Sequence, residues 1–346
     1  MSGTSLDGLD LALCEFEYEN GKYRYKILKA ETASYTQLCA STLRNVHTFK
    51  ALQYASVNAS YGKLIGEEIN KFLKKSTRKA KAIASHGHTV FHKPDLGFTT
   101  QIGCGATIAA VTKTTTVCDF RSLDVANGGQ GAPLVPIGDK LLFGDYDACL
   151  NIGGIANISF DKNKKRIAYD ICEANMLLNY LAERTGKAYD KDGKIAKSGK
   201  VNAKLLKELN ALAYYSKTGA KSIGREWFFE NILKRIEKSR VELNNLLATA
   251  TEHVAQIIAN DLNKNKIKKV LVTGGGAFNK HLIELISEKT NCEIIIPNAQ
   301  TVNFKEALIF AFLGYLRLNE KINTLSSVTG AKIDSVGGAV YLGNSD

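Results

Sequence analysis

Apolar and polar residues alternate over residues 9–17 and again over 23–33, with Glu19-Asn20-Gly21 between them. A period of two interrupted at Asn-Gly predicts two strands of a meander. From 36 to 75 the apolar positions recur at helical spacing and end in a lysine-rich stretch. Short apolar runs at 81–85, 98–102 and 114–118 read as strands, with a short helix over 106–111. The pattern then predicts a helix after Pro136, a strand–turn–strand over 147–160, and a strand at 166–169 that ends at Asp170. Helices follow over 175–184, 203–212 and 243–262, with another carrying Arg225, Glu226 and Trp227 at its start. The strand 268–273, a helix after 279, the strand 292–297, the helix 304–316 and a strand near 339–342 complete the alternation. Strands and helices that alternate in this way predict an α/β protein.

The stretches that escape both periods carry the chemistry. Residues 119–136 hold Asp119, Arg121, Asp124, Gln130 and the glycines 128, 129 and 131 between apolar flanks. This reads as an ordered loop whose glycines let a ligand approach the backbone, and Arg121 offers a fork of donors for carboxylate or phosphate. A plain connector is the weaker alternative, because polar groups rarely converge so densely in one. The chain opens with a turn of small and hydroxyl residues, Gly3, Thr4, Ser5, Asp7 and Gly8. Its N–H groups and hydroxyls suit a phosphate, and Asp7 is placed to reach a phosphate-bound Mg²⁺. Such a turn ordinarily joins two strands, so either a strand lies upstream or the first strand is nearly absent.

The bend at Gly153-Gly154, flanked by Asn151 and Asn157, repeats that logic. Two such turns roughly 150 residues apart point to a duplicated architecture with facing phosphate clamps, a plain hairpin being the alternative for either alone. Strand, Gly274-Gly275-Gly276, helix makes a third candidate, for adenosine or phosphate, without Walker or Rossmann spacing. His86, His88 and His92 fit hydrogen bonding better than metal binding, since Asp95 is the only nearby carboxylate. Asp170 stands either as a cleft-facing carboxylate or as the cap of the next helix, and local sequence does not separate the two.

Length and composition narrow the class. A chain of 346 residues exceeds one ordinary core and predicts two domains with a cleft between them. With 45% hydrophobic and 23% charged residues it has a soluble globular composition, without a leader or a spanning segment, and is expected in the cytoplasm. Seven cysteines, never spaced C-x-x-C, argue against a disulfide framework and a zinc site. The net charge of +12 is densest at 71–81, 162–166 and 264–269, where stacking aromatics are not interleaved. Solvated lysine faces are the preferred reading over nucleic-acid binding, and the positive field would attract an anionic substrate.

Taken together, 1–10, 85–94, 119–136, 151–159, 221–226, 273–279, Glu306-Ala307 and 328–331 resemble, in order, the motifs of the anhydro-N-acetylmuramic acid kinases. The resemblance implies a two-domain actin-like (ribonuclease H-like) ATPase fold, divided as 1–120 plus 325–346 and 121–324, with a central inter-domain cleft. It implies an enzyme that uses ATP and Mg²⁺ to open 1,6-anhydro-N-acetylmuramic acid with water and phosphorylate O6, in peptidoglycan recycling. By motif position Asp170 is the base; Gly3–Gly8, Gly153-Gly154 and 274–276 hold the nucleotide; and Arg121, Asp124 and Glu306 contact the sugar, with His86 as a further donor. Arg121 is the candidate for the lactyl carboxylate, and a homodimer is implied. The chain departs from the family at Cys172-Glu173-Ala174-Asn175, where Gly-Pro-Gly-Asn is usual, which makes Glu173 a candidate second acid. An ordinary sugar or acid kinase of the same fold and a non-enzymatic ATP-gated clamp are the competing readings.

Overall fold

In the computed structural model, residues 1–3, 6, 8–74 and 76–343 are described. The calls on Thr4, Ser5 and Asp7 therefore lie outside the described residues. The chain divides into Met1–Leu142 with Phe304–Asp346, and Phe143–Asn303. The first crossover falls later than 120 because the loop at 119–136 and its helix are tied into the first unit: Asp124 Oδ1 accepts from Thr329 Oγ1 at 2.7 Å, and Asp139 pairs with Lys305 at 2.7 Å.

The first unit contains β1 (Gly8–Glu19) and β2 (Lys22–Ser34), a hairpin closed by Asn20 and Gly21, both at positive φ. Such a two-residue bend matches the strands' own twist. Three further strands, β3 (Ile83–Ala84), β4 (His88–Lys93) and β5 (Phe98–Ile102), precede β6 (Thr116–Cys118). Leu9, Leu11 and Leu13 line one face of β1 and pack with Ile65, Ile69 and Phe72 of the helix Ala51–Lys74. The helical pattern of 36–75 is realised as two helices, Gln37–Asn45 and Ala51–Lys74, separated by a 3₁₀ turn at Val46–Thr48. The loop at 119–136 also contains a short helix, Ser122–Ala126, whose first amide, that of Ser122, donates to Asp119 Oδ1 at 3.3 Å.

The second unit is built on one five-stranded sheet. Its strands are β7 (Ala148–Ile152), β8 (Ile155–Lys162), β9 (Lys165–Glu173), β10 (Lys269–Thr273) and β11 (Glu293–Ile295), in the order β11-β10-β7-β8-β9. β7, β8 and β9 form an antiparallel meander, while β10 and β11 run parallel to β7's direction. This is the sheet order of the ribonuclease H-like, actin-like class. Leu150, Ile152 and Val272 are buried from the sheet, and Leu247, Val254 and Ile258 from the helix Leu243–Lys264. In the first unit, by contrast, β12 (Ala339–Tyr341), β6 and β3 form one small sheet, apart from the β1-β2 hairpin and the β4-β5 pair. Among the described residues no helix is long and apolar enough to cross a membrane.

Candidate functional site

Asp170 does not end its strand. β9 continues to Glu173, with Asn157 opposite Asp170 and Ala156 opposite Cys172, so Ile171 is an extra residue in the ladder. A bulge of this kind re-aims the neighbouring side chain. The helix Asn175–Glu183 has Ala174 at its N-cap, so Asp170 is not its cap. Instead Oδ2 of Asp170 accepts the Ile223 N–H at 2.9 Å, its own N–H donates to Lys221 O at 3.0 Å, and its carbonyl accepts Tyr214 Oη–H at 2.8 Å. The side chain is half-buried, and Oδ1 has no hydrogen-bond partner among the described residues. Burial raises the Asp170 pKa, with the Ile223 amide and Lys221 pulling it back. Burial also lowers the pKa of Lys221, whose ammonium lies 4.8 Å from the Tyr214 ring centre. Tyr214 and the Ile223 amide were not singled out in the sequence, because each acts on the backbone or through it.

Glu173, three residues on, has a different environment. It is fully buried: Oε1 lies 3.0 Å from His253 Nε2, and Oε2 accepts Tyr215 Oη–H at 2.9 Å. His253 Nδ1 donates to Asn210 Oδ1 at 2.5 Å, an orientation fixed because Asn210 Nδ2 donates to Gln256 Oε1 at 2.7 Å. With both oxygens engaged and no exposed surface, Glu173 braces the sheet against the helix Leu243–Lys264 and does not stand as a second acid.

Two of the glycine bends meet at the ends of the parallel neighbours β7 and β10. Gly274 has φ of 83°, and a Cβ there would come within 2.7 Å of Asn151 Oδ1; one on Gly276 would collide with Ile152 Cγ2. These two positions are glycine because the β7 end packs against them. Gly153, Gly154 and Gly275 are different: a Cβ would meet nothing closer than 3.3, 4.0 and 3.5 Å, and Gly154 and Gly275 are exposed. The fold does not demand glycine there, so their bareness leaves room for something else. The carbonyls of Gly153 and Gly154 take the Ala174, Asn175 and Met176 amides, and Asn175 Nδ2 donates to Ile152 O at 3.2 Å, so Asn175 holds the Gly153-Gly154 bend from two points. At the end of β10, Thr273 Oγ1 is buried without a hydrogen-bond partner among the described residues. An open bend, an exposed glycine amide and an orphaned hydroxyl fit a phosphate-bearing ligand such as ATP.

The first unit holds a second group of the expected residues. Arg121 donates to His86 Nε2 from Nε at 3.1 Å and Nη2 at 2.9 Å, and from Nη1 to Gly131 O at 2.6 Å. Nε2 of His86 therefore accepts, and Nδ1 carries the proton, donating to Gly87 O at 3.0 Å. Burial first, and Arg121 second, push the His86 pKa down to about 3. Glu306 occupies a solvent-open position, yet enough protein surrounds its carboxyl that burial raises its pKa, opposed by Arg121 and the Met1 amine. Arg121, His86, Glu306 and the Met1 amine thus form one electrostatic group. Asp124 stands apart from it: it is fully buried, with Oδ2 accepting the Gly131 N–H at 2.7 Å and Oδ1 the Thr329 hydroxyl. The side chain of Asp124 shapes the loop that carries Gly131 and hence one partner of Arg121. The described part of the first turn offers Gly3 and Gly8, and a Cβ on Gly8 would come within 2.7 Å of Ala33 O. His88 Nδ1 lies 3.4 Å from Ser2 Oγ, and His92 Nδ1 lies 3.1 Å from Thr99 Oγ1. Among the described residues no cluster of three or more His, Cys, Asp or Glu could hold a metal ion.

Comparison with known proteins bears on the whole chain. Residues 1–343 match the family described as AnmK, anhydro-N-acetylmuramic acid kinase. The anhydro-N-acetylmuramic acid kinase of Sulfurimonas denitrificans is 34% identical over 99% of this chain and 98% of its own. The enzyme of that name from Pasteurella multocida is 38% identical over 99% of this chain and 95% of its own. A solved structure, the activator of 2-hydroxyisocaproyl-CoA dehydratase from Clostridium difficile with bound ADPNP, aligns over 54% of this chain and 67% of its own, at 16% identity and a TM-score of 0.35. That last likeness is too low to bear on fold or function; the match across the chain's full length is not, and by it the chain belongs to the anhydro-N-acetylmuramic acid kinase family.

Proposed function

We propose that the protein is an ATP-dependent kinase that opens 1,6-anhydro-N-acetylmuramic acid with water and phosphorylates O6, giving N-acetylmuramic acid 6-phosphate and ADP, in cytoplasmic peptidoglycan recycling. The observation that carries the reading is Asp170: one carboxylate oxygen is pinned by the Ile223 amide, the other has no partner among the described residues, and burial raises its pKa. A carboxylate so held is suited to take a proton from water. The water oxygen bonds to C1, its proton passes to Oδ1 of Asp170, the C1–O6 bond breaks, and O6 takes the γ-phosphoryl group as ADP departs.

The other residues serve binding and alignment. Gly153 and Gly154 present an uncluttered bend to the phosphates, while Gly274, Gly275 and Gly276 serve the adenosine side, with Gly3, Thr4, Ser5 and Gly8 as the second phosphate turn. Mg²⁺ carried with the nucleotide would supply charge neutralisation, and Asp7 is the residue to approach it. Arg121, a charged fork in a poorly solvated corner, is assigned to the lactyl carboxylate. Glu306 completes the sugar's polar surroundings; His86, expected from the sequence as a further donor to the sugar, has both ring nitrogens engaged by Arg121 and Gly87 O and orients Arg121 instead, and Asp124 keeps the 129–131 backbone in place beside them. The assembly is a homodimer, to be checked by light scattering.

Turnover in ¹⁸O-labelled water tests the reading. Label at C1 of the product and sugar-dependent ADP release are expected. Phosphorylation without label would make the protein an ordinary sugar kinase, and nucleotide binding without sugar-dependent ADP release would make it a clamp.

A further inference from the structure

Asp170 lies on β9, the outer strand of the five-stranded sheet, which has β8 on one side only. In an antiparallel ladder the N–H and C=O of one residue point to the same edge of its strand. Those of Asp170 turn away from β8, and one segment of the chain meets them there. Lys221 O accepts the Asp170 N–H at 3.0 Å, and Tyr214 Oη–H donates to the Asp170 carbonyl at 2.8 Å. The Ile223 N–H donates to Oδ2 at 2.9 Å. Residues 214–223 therefore hold both main-chain groups of Asp170 and one of its two carboxylate oxygens. Tyr214, in the short helix Ala213–Ser216, is itself packed against Trp227, with ring centres 5.1 Å apart.

The same segment brings a charge. The Lys221 ammonium lies 4.8 Å from the Tyr214 ring centre and 5.4 Å from that of Tyr169. A ring face attracts a cation without cancelling its charge, so the ammonium remains free to act on a neighbour. Tyr169 is tethered in turn: its hydroxyl donates to Asp261 Oδ1 at 2.9 Å and accepts from Asn265 Nδ2 at 2.9 Å. The titratable groups that act on one another here are Cys172 and Glu173 beside Asp170 and Tyr169 on β9, Tyr214 and Lys221 on the segment, and Asp261 and Lys264 on the helix Leu243–Lys264. Of the two cations, Lys221 is the one that acts on the Asp170 carboxyl, and it opposes what burial does there. A buried carboxyl tends to keep its proton, and a base must give that proton up before it can take one from water.

On the reading of Asp170 as the base, on which this inference rests, we propose that Tyr214 and Lys221 are positioning residues for the reaction: the Tyr214 hydroxyl holds the main chain of the bulge so that Oδ1 stays aimed, and the Lys221 ammonium, seated on the Tyr214 and Tyr169 rings, is the counter-charge of the carboxylate. Tyr214 serves both ends of this device, since its hydroxyl holds the carbonyl while its ring seats the cation.

The test uses the full chain carrying Lys221→Met, Lys221→Arg or Tyr214→Phe. Two quantities are followed against pH: kcat/KM for the anhydro-sugar at saturating ATP, and the Asp170 carboxyl itself by ¹³C NMR of aspartate-labelled protein, assigned with Asp170→Asn. Lys221→Met should move both titrations to higher pH, so that the ratio of kcat/KM at about pH 8 to that at about pH 5 rises at least about threefold. Lys221→Arg keeps the charge and can lie over the rings, and should restore the ratio. Tyr214→Phe keeps the seat and loses the hydroxyl, so kcat should fall about tenfold with both titrations unmoved. A lowered Tm in Lys221→Met with the Asp170 titration unmoved would make Lys221 structural and overturn its part, as would a failure of arginine to restore the ratio. An unchanged kcat in Tyr214→Phe would overturn the part of Tyr214. A carboxyl titration that moves while the kinetic limb stays would overturn the reading of Asp170 as the base, and the proposal with it.

Discussion

The Arg121–His86 corner and the Asp170 corner are shaped by the same cause acting in opposite directions. Burial is the largest influence on both His86 and Asp170; it pushes the imidazole down to about 3 and raises the carboxyl. Desolvation always penalises the charged form, so a base that is charged when protonated is locked neutral, while an acid is moved towards the range where it exchanges protons. His86 is thereby fixed as a neutral acceptor for Arg121, and the guanidinium charge it orients does not vary, whereas Glu306 beside it is a carboxyl whose pKa burial raises. Asp170 remains a carboxyl able to take up a proton. A fixed charge suits recognition of an anion, and a proton acceptor suits activation of water.

Asp170→Asn breaks the comparison most severely. The amide can still accept from the Ile223 N–H, but it cannot take a proton, so turnover should fall about 10²- to 10⁴-fold while ATP binding persists. The sign of the stability effect is distinctive. A folded-state pKa raised above the unfolded value favours folding below the unfolded pKa and loses that contribution as pH rises through the folded pKa. At neutral pH the carboxylate therefore works against folding, and the asparagine variant should have an equal or higher Tm. ADP release and thermal melting, measured together, decide the matter: lost activity with a lowered Tm would make Asp170 a structural residue. For the unsubstituted protein, the acid limb of kcat/KM should lie above the ordinary aspartate value of about 3.9.

Arg121→Lys comes next. One ammonium cannot reproduce a fork that serves both His86 Nε2 and Gly131 O, so the presentation of charge is lost even though the charge remains. The KM for the anhydro-sugar should rise roughly 10- to 100-fold with little change in kcat, a loss of about 1.4–2.8 kcal/mol. An unchanged KM would remove Arg121 from sugar binding.

Much of this arrangement was legible where a local cause sufficed. Asn20-Gly21 announced a hairpin, and Gly153-Gly154 and the glycine triplet marked bends at strand ends. The path of β9 was not legible, because the bulge at Ile171 is set by pairing with β8 and not by anything within 166–173. The apolar neighbours of Glu173 hinted at burial, but its partners Tyr215 and His253 lie 42 and 80 residues away. Asp124 read as a ligand for the same reason: its partner Thr329 is 205 residues distant, and without that bond a carboxylate in a glycine-rich loop looks free.

His86→Gln sharpens the comparison without disturbing the charge. The amide oxygen can accept from Arg121 and the amide nitrogen can donate to Gly87 O, but nothing titrates. In the unsubstituted protein the folded-state pKa of His86 is lowered, so the unfolded chain binds more protons between pH 6.5 and about 3. The contribution of His86 to stability is then full above about 6.5 and is lost as pH falls towards about 3. Denaturant titrations across that window should show a flatter slope for the glutamine variant, and an unchanged slope would mean that His86 is not the group responsible.

Glu173→Gln should have the smallest effect on turnover. The carboxamide keeps an oxygen for Tyr215 Oη–H but turns its NH2, a donor, towards His253 Nε2 and loses the negative charge there, in a place with no solvent to compensate. A cost of about 1–3 kcal/mol in stability follows from one compromised buried hydrogen bond. Because neither oxygen of Glu173 reaches solvent, kcat/KM should change less than about threefold and its acid limb should stay where Asp170 puts it. A shifted acid limb in this variant would show that Glu173 acts on Asp170, and the separation drawn between them along β9 would then fail.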